Sequence, residues 1–423
     1  MKIAVAGLWH LGTVTAACLA SAGHHVVGID EDEAVVDALK QGRPPITEPR
    51  LPELVSAGLE SARLRFSTSF EDAADCDVVW IAWDTPVDQN DRADTEFVHA
   101  RALRLLRTMK NSSLMVVSSQ MPVRSVRRLE EASLAGDRSI GIACVPENLR
   151  LGSAIDVFLR PDRVVAGVRD ERSRRTLEAV YAPFTDRIEW MSVESAEMTK
   201  HAINSFLATS ICFINEIAAV CERTGADAAE VERGLKSDSR IGPRSYLHAG
   251  GAFAGGTLAR DILFLRSLGT NFGLPLPLIG AVYASNEQQK TWLQRRLTEA
   301  IGSVEGRTIS ILGLTYKPGT NTLRRSSAVE AALWLHLHGA RVQAFDPQVA
   351  ELPDELKTAI QLTESAAAAI AASDALIVMT PWPEFQSLDP EIAPRLVFDP
   401  GRFLEKLFAG RSGTEYFTIG KTN

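Results

Sequence analysis

Short apolar runs alternate with helix-like stretches over the first part of the chain. Residues 2–6 form one such run, closed by Gly7. Residues 13–22 read as a helix of small side chains, and residues 25–29 are a second apolar run ending in Asp30. The pattern returns at 78–83, 114–118 and 140–144. Strand-length apolar runs separated by helices predict a parallel sheet covered on both faces, because such strands have no polar side to turn to water. From about 195 to 301 the pattern changes. Residues 197–223, 227–235 and 275–301 have helical spacing, and a glycine-rich stretch lies at 242–256. This predicts a helical connector with one functional loop. Strand–turn–helix signals restart at 307–313, followed by a helix at 326–338 and strands at 342–345, 375–380 and 396–399.

Composition narrows the classes. A chain of 423 residues exceeds one ordinary core, so two or three domains are expected. The net charge is −8 with no basic tract, which argues against a nucleic-acid partner. A phosphate-bearing small molecule is still compatible, since a local pocket can be positive in an acidic protein. The start runs directly into a strand pattern, and no apolar run is expected to span a membrane. Five scattered cysteines, Cys18, Cys76, Cys144, Cys212 and Cys221, form no C-x-x-C pair. Reduced thiols in a cytoplasmic protein are expected, with neither a disulfide framework nor a metal site.

Gly7-Leu8-Trp9-His10-Leu11-Gly12 lies between a strand and a helix, and Asp30 ends the next strand. This is where a dinucleotide pyrophosphate would meet free N–H groups at a helix start and ribose hydroxyls would meet a carboxylate. The candidate cofactor residues are therefore Gly7, Trp9, Leu11, Gly12 and Asp30. The middle glycine of G-x-G-x-x-G is Trp9 here, so the motif favours a dinucleotide while also fitting a plain strand–helix turn. An acidic residue at Asp30 favours NAD over NADP.

Further segments match one family in order over nearly the whole chain. They are Ile46-Thr47-Glu48-Pro49, Thr85-Pro86, Pro122-Val123, Pro146-Glu147 and Arg160-Pro161-Asp162-Arg163. Ala196-Glu197-Met198-Thr199-Lys200 continues to Asn204 and to Phe213-Ile214-Asn215-Glu216, with Asp238-Ser239-Arg240-Ile241-Gly242 after it. Gly313-Leu314-Thr315-Tyr316-Lys317-Pro318, Arg324, Asp399 and Arg402 complete the series. The chain resembles the UDP-glucose/GDP-mannose dehydrogenases. The resemblance implies an α/β fold of two Rossmann-like domains with parallel sheets joined by a central helical domain. It places an NAD-binding domain at 1–194, a helical dimerisation domain at 195–301 and a nucleotide-sugar (UDP)-binding domain at 302–423. It implies a homodimer, a nucleotide-sugar substrate and a place in polysaccharide biosynthesis. Such enzymes oxidise a sugar CH₂OH to a carboxylate in two hydride transfers.

Lys200 and Asn204 stand four apart on a helix and share a face. The family pair stabilises an alkoxide at the oxidised carbon; a lone lysine there would otherwise be solvated. The resemblance makes Glu147 a general base, with an exposed loop glutamate as the alternative. It makes Asp261 a polarising partner, a role compatible with a helix start. Thr85, Pro86 and Gln120 are implied on the cofactor side. Substrate contacts are implied for Glu147, Arg150, Lys200, Asn204, Arg240, Gly255, Gly256, Lys317, Arg324 and Arg402.

The pattern breaks at the chemistry. The family loop carries a nucleophilic cysteine two residues after its glycine pair, and here the segment is Gly255-Gly256-Thr257-Leu258-Ala259-Arg260-Asp261. A leucine cannot carry a thiohemiacetal. Gln120, Leu151 and Val145 also depart from the family residues at their positions. The expectation is an NAD-dependent oxidoreductase acting on a nucleotide sugar in a single hydride step. The alternatives are a four-electron oxidation through a hydrated aldehyde with Glu147 as base, an NAD-recycling epimerase, a non-catalytic nucleotide-sugar-binding paralogue and a dehydrogenase of a different activated donor.

Overall fold

The computed structural model describes residues 1–88, 92–136, 138–147, 149–253 and 257–422. The chain forms two compact units, Met1–Ile203 and Asn204–Asn423.

The first unit is built on β1 (Lys2–Ala6), β2 (His25–Ile29), β3 (Leu64–Ser67), β4 (Val78–Ile81), β5 (Leu114–Val117), β6 (Gly141–Cys144), β7 (Val164–Gly167) and β8 (Ile188–Met191). Their order across the sheet is β3-β2-β1-β4-β5-β6-β7-β8. The strands are parallel as far as β6, and β7 pairs with β6 antiparallel. The central strands β4 and β5 are buried along their whole length, as a doubly covered sheet requires. The helices are α1 (His10–Ser21), α2 (Glu33–Lys40), α3 (Leu51–Glu60), α4 (Thr95–Thr108), α5 (Ser125–Ala135), α6 (Ala154–Leu159) and α7 (Glu171–Tyr181). Residues 12–20 of α1 are buried on every side, between the sheet and helices α3 and α6. Only its run of Gly, Ala, Thr and Cys side chains lets neighbours approach so closely. A larger residue such as leucine at Ala17 would cost about 1–3 kcal/mol by overpacking.

The C-terminal strand ends are stitched together. The Trp80 indole donates to Ser118 Oγ at 2.8 Å, and the Ser118 hydroxyl donates to the Val145 carbonyl at 2.6 Å. The Ser119 hydroxyl donates to the Trp83 carbonyl at 2.7 Å. These bonds fix the sheet edge that holds the candidate site.

Helix α8 (Val193–Thr224) begins in the first unit and continues into the second. The second unit adds α9 (Ala228–Ser237), α10 (Leu258–Asn271), α11 (Pro277–Lys290), α12 (Trp292–Ile301) and α13 (Ser327–Leu337). Its strands are β9 (Thr308–Leu312), β10 (Arg341–Phe345), β11 (Gln361–Leu362), β12 (Ala375–Val378), β13 (Leu396–Phe398) and β14 (Glu415–Phe417). They form a parallel sheet in the order β11-β10-β9-β12-β13-β14.

Two sequence expectations change. The helix expected over 275–301 is two helices that meet at Thr291, which has ψ of −2°. Ile214, Ala218 and Cys221 of α8 and Trp292 and Leu297 of α12 share one apolar cluster with Ile309, Ile311 and Phe398 of the sheet. The helical segment after residue 203 therefore buries its apolar face on the C-terminal domain. No membrane-length run was expected, yet α8 is long and apolar enough to cross a membrane by length and composition. The buried residues of α8 within that cluster are what a core helix presents.

Candidate functional site

In the first sheet the strand order reverses between β1 and β4, and ligands gather in the crevice beyond such a switch point. Gly7 follows β1 there with φ of +94°, and a Cβ on it would lie 2.5 Å from the Trp83 backbone nitrogen. A Cβ on Gly12 would lie 1.7 Å from the Gly7 carbonyl oxygen. Both glycines are thus required by the turn itself. Trp9 is the N-cap of α1 with φ of −80°, a conformation that tolerates a side chain, and its indole is 40% exposed. It makes no side-chain cap to the helix, so the first N–H groups of α1 are left for an anion. Leu11 is half-buried behind the turn.

Asp30 closes the turn from β2. Its carboxylate accepts the Leu8 N–H at 2.7 Å and the Asp32 N–H at 3.1 Å. It stays half-buried, with acceptor capacity left for ribose hydroxyls. The second sheet repeats the same turn: Gly313 has φ of +84°, and Asp346 accepts the Leu314 N–H at 2.7 Å. There the likeness ends. The Asp346 carboxylate also accepts from the Thr315 N–H and hydroxyl, the Gln348 N–H and the Trp382 indole, and it is buried. Four of these bonds converge on Oδ2, and burial closes the whole carboxylate off from a ribose hydroxyl, whereas Asp30 is only half-buried. The dinucleotide therefore fits the first turn and not the second.

The other cofactor-side residues gather at the same edge. The Thr85 hydroxyl donates to the Gln120 carbonyl at 2.6 Å, joining the segments that follow β4 and β5, with Pro86 half-buried beside it. Glu147 follows β6, is half-buried, and lies near enough for its charge to raise the Cys18 thiol and the Tyr181 phenol, after the larger effect of burial. Arg150 is exposed in the same loop.

Lys200 is half-buried on α8. Its neighbour His201 contacts the Met121 carbonyl at 3.1 Å, which ties this turn of α8 to the segment after Gln120. One turn earlier, Glu197 accepts the N–H groups of Arg124 at 2.6 Å and Val126 at 2.9 Å, capping α5. Burial pushes the Glu197 carboxyl up, against the pull of those two amides.

In the second unit, the Asn204 amide donates to the Asp261 carboxylate, and both side chains are buried. Asp261 lies in the first turn of α10, where a carboxylate complements the helix dipole. Gly255 and Gly256 lie outside the described residues. Leu258, where the resemblance puts a nucleophile, packs against the cluster of Ala208, Cys212, Ala259, Ile262 and Val282. Arg240 is 87% exposed at its side chain and pairs with Asp238. Lys317 is half-buried and Arg324 exposed, both in the segment between β9 and α13. Arg402 is turned inward: it donates to Asp227 Oδ1 at 2.6 Å and to the Ile419 carbonyl at 3.1 Å.

No thiol replaces the missing one. All five cysteines are buried. Burial is the leading cause of an upward shift at each: Cys18 to about 12, Cys76 to about 11, Cys144 well above its usual value, and Cys212 and Cys221 upward. Thiols held in this way are protonated at neutral pH and are poor nucleophiles.

Sequence reading missed His10 and Glu48 as a pair. The His10 ring stands 2.9 Å from a carboxylate 38 residues away, and no local spacing signals that contact.

Three models of one family match the chain: the UDP-glucose/GDP-mannose dehydrogenase NAD binding domain over residues 1–185, the central domain over 194–288 and the UDP binding domain over 310–406. The chain is 35% identical over 438 residues to a UDP-glucose 6-dehydrogenase of Rhizobium meliloti, covering 100% of both proteins. It is 37% identical over 406 residues to a UDP-glucose 6-dehydrogenase of Pseudomonas aeruginosa, covering 92% of this chain and 89% of that protein. Its fold is similar to a UDP-glucose dehydrogenase structure from Pyrobaculum islandicum, with a TM-score of 0.92 at 33% identity, covering 100% of this chain and 98% of the other. The NAD binding domain agrees with the open turn at Asp30, and NAD is the cofactor. The chain belongs to the UDP-glucose/GDP-mannose dehydrogenase family.

Proposed function

We propose that this chain is a homodimeric, NAD-dependent oxidoreductase that oxidises a UDP-hexose by one hydride transfer and stops at the carbonyl product. The observation that carries the single step is Leu258, packed in an apolar cluster where the family resemblance puts a thiol, with all five cysteines buried. Bound NAD supplies the hydride acceptor. Gly7, Gly12 and Asp30 hold its pyrophosphate and ribose, with Trp9, Leu11, Thr85, Pro86 and Gln120 around it. Glu147 takes the proton of the sugar hydroxyl. The Lys200 ammonium and the Asn204 amide stabilise the alkoxide as the hydride leaves, and Asp261 fixes the Asn204 amide. Without a thiolate there is no covalent carrier for the second oxidation.

Labour is divided among residues 1–194 for NAD, 195–301 for dimerisation and 302–423 for the nucleotide of the donor, with Lys317 and Arg324 facing its phosphates. Arg150, Gly255 and Gly256 complete the substrate set. Arg402 supports that site through Asp227. Phe206, Phe213 and Val220 are exposed one heptad apart along α8, an apolar stripe suited to a second copy, and Arg240 would reach the partner's substrate from an exposed position. The test is NADH formation from a panel of UDP-, GDP- and dTDP-sugars, with Lys200→Ala as control. Turnover with a UDP-hexose and its loss in the variant are expected. Binding of nucleotide sugars without turnover, unchanged by Lys200→Ala, would contradict the proposal.

A further inference from the structure

His10 sits in the first turn of α1, between Gly7 and Gly12, and its Nε2 stands 2.9 Å from Glu48 Oε2. The Glu48 side chain is fully excluded from solvent. The same carboxylate accepts the Gly152 N–H at 2.7 Å and the Ala154 N–H at 2.8 Å. One buried group therefore joins the cofactor turn to the loop that follows Glu147. A carboxylate withdrawn from water is tolerated only while its donors stay in place. Displacing either segment would strand it, so the two segments keep one relative position.

We propose that His10 and Glu48 form a positioning pair that sets the NAD-binding turn and the Glu147 loop in register. The Glu147 half rests on the role given to that residue above. The cofactor half rests only on the NAD-binding turn.

The test uses the full chain with His10→Phe, His10→Gln and Glu48→Gln. NAD affinity is measured by calorimetry, melting temperature by scanning fluorimetry, and kcat and KM for NAD with the best donor. Phenylalanine fills the space but cannot donate. His10→Phe is expected to weaken NAD binding about tenfold, the scale of one charge-assisted hydrogen bond, and to lower kcat while the protein still melts cooperatively. Glutamine can donate to Glu48, so His10→Gln is expected to restore most of that loss. Glu48→Gln is expected to weaken NAD binding as His10→Phe does. Unchanged NAD affinity in folded His10→Phe and Glu48→Gln would overturn the proposal, as would a loss that glutamine at His10 does not rescue. Should His10→Phe fail to fold, His10→Ala is read in the same way. A wild-type chain that binds NAD but turns over no sugar would defeat the functional reading alone, and the affinities would still decide the role of the pair.

Discussion

Asn204 donates its side-chain amide to the carboxylate of Asp261, and both side chains are buried. This contact fixes which end of the amide is the donor and leaves the second N–H of that nitrogen to point elsewhere. A positioned donor of this kind is worth most when charge develops in a dry site. Asn204→Ala is expected to lower kcat about a hundredfold, the typical loss for one alkoxide-stabilising donor. KM for the sugar should change far less. Steady-state kinetics on the folded variant check this.

The buried cysteines lead to a second expectation. Iodoacetamide at pH 7 should label none of the five thiols in the native protein, and activity should survive the treatment. A cysteine placed at Leu258 would stand in the first turn of α10, where the helix terminus favours the thiolate. Leu258→Cys is expected to become the one labelled position. Peptide mass mapping before and after unfolding distinguishes these outcomes.

Asp30 and Asp346 occupy matching turns but are expected to fail differently. Asp30→Ala should raise the NAD dissociation constant about tenfold and, by stranding the one buried Leu8 N–H, cost about 1–3 kcal/mol of stability. Asp346→Ala leaves several buried donors unsatisfied and should cost about 3 kcal/mol or more of stability. NAD affinity of its folded fraction should be unchanged. Calorimetric titration and denaturant unfolding separate the two effects.

Much of this was legible in the sequence, for physical reasons that also explain the gaps. Gly7, Gly12 and Asp30 were legible because a tight turn and a strand-ending carboxylate leave local marks. The alternation of strands and helices predicted both sheets, but it carries no direction, so the reversal at β7 was hidden. Helix α10 was obscured by the glycine-rich stretch before it. The pairing of Asn204 with Asp261 spans 57 residues and that of His10 with Glu48 spans 38, so both depend on tertiary structure. The openness of Asp30 against the enclosure of Asp346 is likewise a matter of packing. A turn motif looks the same in either state.

Stability should carry the mark of Glu48 below neutral pH. Burial pushes this carboxyl up, but the His10 ring and the amides of Gly152 and Ala154 outweigh burial and hold it below its usual value of 4.5. A depressed carboxyl contributes stability that is complete above its unfolded value and is lost as pH falls through the folded one. The melting-temperature gap between wild type and Glu48→Gln is therefore expected to be widest near pH 7. It should begin to narrow near 4.5 and continue to narrow below it. Thermal melts across that range check the direction, and a gap that widens in acid would contradict it.

The stoichiometry of hydride transfer tests the proposed single-step oxidation most directly. Purified protein, NAD and a UDP-hexose should be run to completion, with NADH counted by absorbance and the product weighed by mass spectrometry. One NADH per sugar and a product lighter by two hydrogens are expected. Two NADH per sugar and a carboxylate product would contradict the single step, and would mean that the second oxidation proceeds without a thiol.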